Sequence, residues 1–231
     1  TGGIDLESSV AKFAARSGSG NVDISNFGDL QIASLGGIEG ISGVAGSTIN
    51  VAAGGSVDVA ATIAAGGAGT VNITATGSIQ DSTSSGVAVD APTVALTSDT
   101  GSIAGSGGMG AFKVDATTLT ALAQTGVNVR NTGTATLAAT LSTDTGAAIL
   151  ESAGSIQSNG AAWAGDSVEI ITTGTGAQGV ITIAEDITAD AGDIRLAGHE
   201  LGITGSDTML DAGTGDIRIE RTSAGSIGVG D

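Results

Sequence analysis

Aromatic side chains are nearly missing from this chain: three Phe, one Trp and no Tyr make up 2% of its 231 residues. A layered globular domain relies on such rings to fill the space between its elements, because each buries a large apolar area. That architecture is therefore not expected. Cysteine is absent, which rules out a disulfide framework and a thiolate metal site. The same absence suits export through an oxidising periplasm, where a prematurely paired thiol would block passage. Proline occurs once, at Pro92.

Basic residues are also scarce. Seven (Lys12, Arg16, Lys113, Arg130, Arg195, Arg218 and Arg221) stand against 24 Asp and Glu, for a formal net charge of −17. Without a basic footprint to neutralise phosphate, no nucleic-acid partner is expected, and an anionic membrane surface would repel the chain. No apolar run approaches the roughly 18 residues of a membrane-spanning helix, so no membrane insertion is expected. The chain opens at Thr1 with neither an initiator Met nor a signal peptide, which points to a processed product or a fragment of a longer chain.

What is present is small and apolar. Hydrophobic residues reach 40% and Gly contributes 40 positions, too apolar a mixture for a disordered segment. Small β-branched residues with frequent Gly suit a narrow core lined by short strands, with tight corners where Gly supplies positive φ.

Internal self-similarity organises the whole chain. VDAPTVALTSDTG from Val89 matches VDATTLTALAQTG from Val114, 25 residues on, and GDIRLAG from Gly192 recurs 23 residues later as GDIRIER from Gly215. GNVDISNFGDLQ from Gly20 matches GTVNITATGSIQ from Gly69 at 49 residues, about two such units. GSIQ recurs at Gly77 and Gly154, with truncated forms at Gly101 and Gly225. A period of about 22–25 residues lies in the solenoid range. Within a unit, apolar residues alternate, as in Val22/Ile24, Ile49/Val51, Val71/Ile73 and Ile217/Ile219, which reads as short half-buried strands. Strand starts eight residues apart (Gly20 and Gly28, Gly69 and Gly77, Gly146 and Gly154) mean strand, corner, strand.

Parallel strands need a connection of about a dozen residues or more, and one solenoid turn supplies it. The expectation is one right-handed parallel β-helix over residues 1–231, with about ten coils of roughly 22–25 residues. At about 4.8 Å per coil it would extend about 50 Å. The Gly pairs 36–37, 54–55, 66–67 and 107–108 are expected at turns. Residues 4–16 fit least well. Leu6, Val10, Phe13 and Ala14 have helical spacing, which allows a short helix across one end. An irregular first coil with Phe13 in the core is the preferred reading.

No constellation of side chains announces chemistry. Asp99-Thr100-Gly101 and Asp144-Thr145-Gly146 spell the DTG of aspartic proteases, whose paired carboxylates share one proton. Their surroundings, LTSDTGSIA and LSTDTGAAI, make them equivalent corners about two coils, or about 10 Å, apart. His199-Glu200 lacks the second His of an HExxH zinc site, because position 203 is Ile203. Trp163, without neighbouring aromatics, reads as a filler of a gap in the core rather than a sugar platform. The calcium-roll repeat GGxGxDxUx is approached only by GGAGTVNIT from Gly66, with Val71 at the Asp position. Asp186, Asp190, Asp193, Asp211 and Asp216 could hold Ca²⁺ at corners, but as solvated charges they need no ion, and no cofactor is assigned.

Solenoid polysaccharide lyases and hydrolases need acid and base groups beside cationic residues in a cleft. No cluster of Asp, Arg and Lys is expected on any two adjacent coils. The Thr-x-Thr pairs at Thr74/Thr76, Thr118/Thr120 and Thr134/Thr136 lie at offsets of 44 and 16, so they are not expected to form a regular ice-binding array. No catalytic, cofactor or metal residue is assigned.

The strings GSTINVAAGGSVDVAA from Gly46, GTVNITATGSIQ from Gly69, NTGTATLAAT from Asn131 and AGDIRLAG from Ala191 resemble the shaft repeats of filamentous-haemagglutinin-like exoproteins exported by two-partner secretion. The resemblance covers almost the whole chain. It implies a secreted or surface-displayed bacterial β-helix serving attachment, biofilm or contact-dependent competition, with host-cell or matrix glycans as partners. The open strand edges of a rod invite pairing with another chain, so either caps lie outside this fragment or copies self-associate end to end into fibres. No functional residue of the family maps onto a position here. The alternative is a β-helical polysaccharide-active enzyme or a carbohydrate- or ice-binding solenoid.

Overall fold

A segment such as Val22–Asn26 alternates buried and outward side chains, so it buries one face against the interior and needs a partner for its backbone on each edge. The partner is the equivalent segment one turn away. In the computed structural model, which describes residues 2–84, 86–108, 110–160 and 163–222, the chain is all-β, with parallel strands stacked as a β-solenoid of about ten turns. It falls into two compact units, Thr1–Ala116 and Thr117–Asp231.

In the first unit three parallel ladders run side by side. One stacks Ile4–Ser8, Val22–Asn26, Thr48–Ala53, Thr70–Ala75 and Thr93–Ser98. The second stacks Lys12–Phe13, Leu30–Ile32, Val57–Val59, Ile79–Asp81 and Ile103–Gly105. The third stacks Ala15–Arg16, Ile41–Gly43, Ile63–Ala65, Val89–Asp90 and Phe112–Asp115. In the second unit one ladder stacks Val127–Asn131, Ala147–Ser152, Ser167–Thr172, Ile194–Gly198 and Ile217–Arg221. Beside it, Thr118–Ala123 pairs with Leu137–Thr143, which then pairs with two shorter strands, Ile156–Ser158 and Trp163–Gly165.

The interior is columns of like residues. Val22, Ile49, Val71 and Val94 stack in register, as do Ile24, Val51, Ile73 and Leu96, and all eight are buried. Each such side chain contributes about 1.5–3 kcal/mol by leaving water. Phe112 and Trp163, both fully buried, supply the bulk that the other coils lack.

The matched strings do lie above one another. Val89 pairs with Val114, Ile194 with Ile217, and Val22 reaches Val71 in two turns through Ile49. The recurrence at Gly225 lies outside the described residues. The period is looser than the sequence suggests. From Ile4 through Val22, Ile49 and Val71 to Val94 the advances are 18, 27, 22 and 23 residues. The 27-residue turn holds an antiparallel hairpin, Ser34–Leu35 against Ile38–Glu39, turned by Gly36 and Gly37 at φ 58° and 85°. Two consecutive positive φ values are the two-residue hairpin turn that favours Gly. Residues 4–16 form no helix: Ile4–Ser8, Lys12–Phe13 and Ala15–Arg16 are strands of a short first coil, with Phe13 half-buried.

Ahead of several strands a polar residue has a specific task. Its side-chain oxygen accepts the backbone N–H of the equivalent residue one coil later. Asp29 Oδ1 accepts from Ser56 N at 2.7 Å, Ser56 Oγ from Ser78 N at 3.2 Å, and Ser78 Oγ from Ser102 N at 3.2 Å. Asn21 does the same for Thr48, Ser155 for Val180, Asp186 for Met209 and Asp193 for Asp216. The recurring Gly ahead of it follows from this clamp. A Cβ on Gly101 would lie 2.6 Å from Ser78 N and 2.8 Å from Ser78 Cα, and one on Gly55 would lie 2.7 Å from Asp29 N. The motif Gly-(Ser/Asp)-apolar thus encodes close approach, then clamp, then core.

Candidate functional site

The strongest concentration of charge lies on the outward face of the second unit. Strands Ser167–Thr172, Ile194–Gly198 and Ile217–Arg221 point Val168 and Ile170, Ile194 and Leu196 inward, so alternation turns Glu169, Arg195, Arg218 and Glu220 outward. Register stacks Glu169 beside Arg195 and Arg195 beside Arg218. Arg195 donates from Nη1 to Glu169 Oε1, and from Nε and Nη2 to Glu220 Oε2 at 3.0 and 2.7 Å. Arg218 Nη2 lies 3.2 Å from Asp193 Oδ2 and 3.5 Å from Asp216 Oδ2. An open depression lined by Glu169, Gly192, Asp193, Arg195 and Arg218 results.

This corrects the expectation that no cluster of Asp, Arg and Lys forms on adjacent coils: Asp193, Arg195, Asp216 and Arg218 gather there, without a Lys. The cause is the repeat itself. GDIR at 192–195 and GDIR at 215–218 place each Asp and Arg directly beside its copy, and Glu169 enters from the preceding coil. The signal was present in the sequence at an offset of 23 residues.

The electrostatics of the cluster are those of mutual neutralisation. The hydrogen bonds from Arg195 hold the Glu220 carboxyl below the usual carboxylate range, and donating to Glu220 and then to Glu169 pushes the Arg195 guanidinium up. A general acid needs a carboxyl raised toward the operating pH, and Glu220 moves the other way. Arg130 and Glu151, stacked in register, form a further pair at 2.7 Å.

A second charged constellation is internal. In the first unit Asp81 occupies an inward position in the column of Ile32 and Val59, and its side chain is 1% exposed. Thr83 N donates to Oδ1 at 2.8 Å, Lys113 N to Oδ2 at 3.1 Å, and Lys113 Nζ stands 3.4 Å from Oδ2. A buried carboxylate without such partners would be strongly disfavoured. Here it ties the corner at Thr83 to strand Phe112–Asp115.

The residues singled out in the sequence take structural places. Asp99 and Asp144 are exposed corner residues, each in its own unit. Asp99 N donates to Ala75 O at 2.9 Å and Asp144 N to Ala123 O at 3.3 Å, and the Thr that follows each donates amide and hydroxyl to one carbonyl, of Thr76 and Gln124 respectively. Trp163 donates from Nε1 to Ala139 O at 3.0 Å in the core. His199 is half-buried at a corner, its amide on Gly179 O. Asp186 and Asp193 are clamps, and Asp211 Oδ1 accepts Gly213 N within its own turn. Among the described residues no three His, Asp or Glu side chains converge as a metal site would require.

Threonine columns do form, and of the Thr-x-Thr residues Thr74 stacks on Thr97 and Thr120 on Thr140. On the outward face of the first unit Thr48, Thr70 and Thr93 stack in register, as do Thr74 and Thr97. Their side chains have no hydrogen-bond partner among the described residues. Thr134 and Thr136 lie in a corner.

The fold defines a class, the parallel β-solenoid repeat proteins. Comparison with protein-family models, with curated proteins and with solved structures finds no match to this chain. Among the described residues no helix is long and apolar enough to cross a membrane.

Proposed function

We propose that this chain is a structural shaft segment of a large extracellular or cell-surface bacterial adhesin or filament, of the filamentous-haemagglutinin-like kind that its repeat strings resemble, and that it catalyses no reaction. The observation that most supports this reading is where the polar chemistry goes. Corner Asn, Asp and Ser side chains are engaged with the amides of the next coil, and the outward Arg and Glu of the second unit neutralise each other between coils. Such contacts lend a ladder stiffness. A net charge of −17 keeps neighbouring shafts apart and disfavours nucleic acid or anionic lipid as partners.

An exposed strand edge pairs with another coil, and end-to-end association of copies into fibres follows in this reading. Electron microscopy of the purified protein tests it: fibres or elongated particles one coil wide are expected. Compact globular particles, or turnover of any polysaccharide in a broad activity screen, would overturn it. A glycan- or ice-binding face is the second reading, favoured by the unpartnered Thr columns. Loss of glycan binding or ice-growth inhibition in a Thr70→Lys variant would select it.

A further inference from the structure

Seven Asn residues occur in the chain, and six of them are in strands or engaged by their side chains. Asn26, buried, donates to Gly28 O and Asp29 O. Asn50 and Asn72 form a ladder, Asn72 Nδ2 donating to Asn50 Oδ1 at 2.7 Å and Asn50 Nδ2 to Asp23. Asn21 clamps Thr48, Asn131 is buried, and Asn128 lies within Val127–Asn131 and precedes Val129. Asn21 is likewise exposed and outside a strand, but its side chain is engaged and Val22 follows it. Asn159 is exposed, follows the strand Ile156–Ser158, and is the one Asn whose next residue is Gly, at Gly160.

The local geometry exposes the reacting atoms. The Asn159 backbone is anchored, its N–H on Ala139 O at 2.9 Å and its carbonyl accepting Thr140 Oγ1 at 2.5 Å. Its side-chain amide has no hydrogen-bond partner among the described residues, and the Gly160 N–H donates to none of them. Gly160 is exposed at φ 71°, with open space where a Cβ would stand. Gly160 has no side chain to hinder approach of its nitrogen to the Asn159 carboxamide.

We propose that Asn159-Gly160 is a site of spontaneous deamidation in the folded protein. The Gly160 nitrogen bonds to Asn159 Cγ, and the Cγ–Nδ2 bond breaks. Nδ2 departs as ammonia with the proton that Gly160 N gives up, leaving a five-membered imide. Water then opens the imide at one of its two carbonyls. Opening at Cγ restores the ordinary backbone with an aspartyl side chain in place of the amide, and opening at the main-chain carbonyl gives the isoaspartyl link, whose backbone is longer by one methylene. Either product adds one negative charge. The corner tolerates the longer link, because Asn159 and Gly160 lie in no strand, while the strands Ile156–Ser158 and Trp163–Gly165 stay paired with Leu137–Thr143. In an extracellular material that is not renewed, the change accumulates with age. The site itself stands independently of the shaft reading.

The test is incubation of the intact folded chain in mildly alkaline buffer, then peptide mapping by mass spectrometry and enzymatic labelling of isoaspartate. Amide-to-acid conversion with isoaspartate is expected at Asn159 while the other six Asn remain amides, and Asn159→Gln removes the signal because the larger ring closes slowly. A parallel sample in urea separates folded from unfolded chemistry. Conversion at Asn159 only in urea, or at the strand Asn residues equally fast in the folded chain, overturns the proposal. The circular-dichroism melting curve of the converted protein should match that of the fresh one.

Discussion

Gly28, Gly77 and Gly101 occupy the same place in the repeat, ahead of the polar residue that enters a strand, yet their surroundings differ in a way that sets apart the cost of a single methyl group. A Cβ at Gly28 meets nothing within 4 Å. At Gly101 it would meet the Ser78 hydroxyl and, besides it, stand 2.6 Å from Ser78 N and 2.8 Å from Ser78 Cα, which are backbone atoms of the coil beneath and cannot step aside. At Gly77 the obstacle is the Ser56 hydroxyl, the next nearest atom being Ser56 N at 3.2 Å. None of the three has positive φ, so alanine is strained at none of them by its own backbone. Gly28→Ala should stabilise by about 0.4–1 kcal/mol through the unfolded state. Gly101→Ala should cost about 3 kcal/mol, the upper end for overpacking. At about 2–4 °C per kcal/mol for a chain of this size, that lowers Tm by roughly 6–12 °C. Gly77→Ala falls between. Ser56→Ala alone forfeits the hydrogen bond from Ser78 N, about 1 kcal/mol. Combined with Gly77→Ala it clears the obstacle, so the double variant should be less destabilised than the sum by at least about 0.5 kcal/mol. Ser78→Ala should leave most of the cost of Gly101→Ala in place, because the backbone atoms of Ser78 remain. Thermal melts by circular dichroism read the whole series. Equal Tm shifts in Gly28→Ala and Gly101→Ala, or rescue of both glycine variants alike, would refute the idea that these glycines exist for coil-to-coil approach.

Three further outcomes are expected. Asp81→Ala should cost about 3 kcal/mol, because the Lys113 ammonium and amide and the Thr83 amide lose a buried acceptor together; a melt indistinguishable from the parent's would show that the carboxylate is dispensable. The Glu220 carboxyl is held below the usual range by Arg195, so its stabilising contribution is fully present above the unfolded value of about 4.3 and fades as pH falls through the lower folded value. The Tm difference between parent and Glu220→Gln should therefore close as the solution is acidified below that unfolded value, and a constant difference would argue against the pair. Trp163 is the chain's one Trp and is fully buried, so fluorescence should be blue-shifted in the folded protein and should red-shift with unfolding of its coil. Trp163→Ala should destabilise by about 3–5 kcal/mol, and an emission maximum already at the solvent-exposed position would contradict the packing.

Stacking was legible in the sequence because a solenoid writes its tertiary contacts as an offset. Val89 and Val114 pair for the same reason that their flanking residues match. Unequal coil lengths were less legible, since Ser34–Glu39 folds back on itself and adds residues without adding a rung. The inward Asp81 follows from alternation after Ile79, but only coordinates reveal that Lys113, 32 residues away, returns to meet it. The charge cluster around Arg195 was written in the two GDIR strings and is visible once they are laid side by side. The first coil's spacing left a helix open beside the preferred irregular coil because Leu6, Val10 and Phe13 satisfy more than one period over so short a stretch, and pairing of Ile4–Ser8 with Val22–Asn26 decides between them.

The hairpin at Ser34–Glu39 separates two quantities that a coil might be thought to couple, its length and its position in the stack. Gly40 N returns to Ala33 O at 3.3 Å, so the loop closes at its own neck and Ala33 and Gly40 meet the winding backbone as if nothing lay between them. A foreign peptide spliced between Gly36 and Gly37 would hang from that neck as a pendant. The chain could display one there, with its rungs undisturbed, as a mast carries a flag.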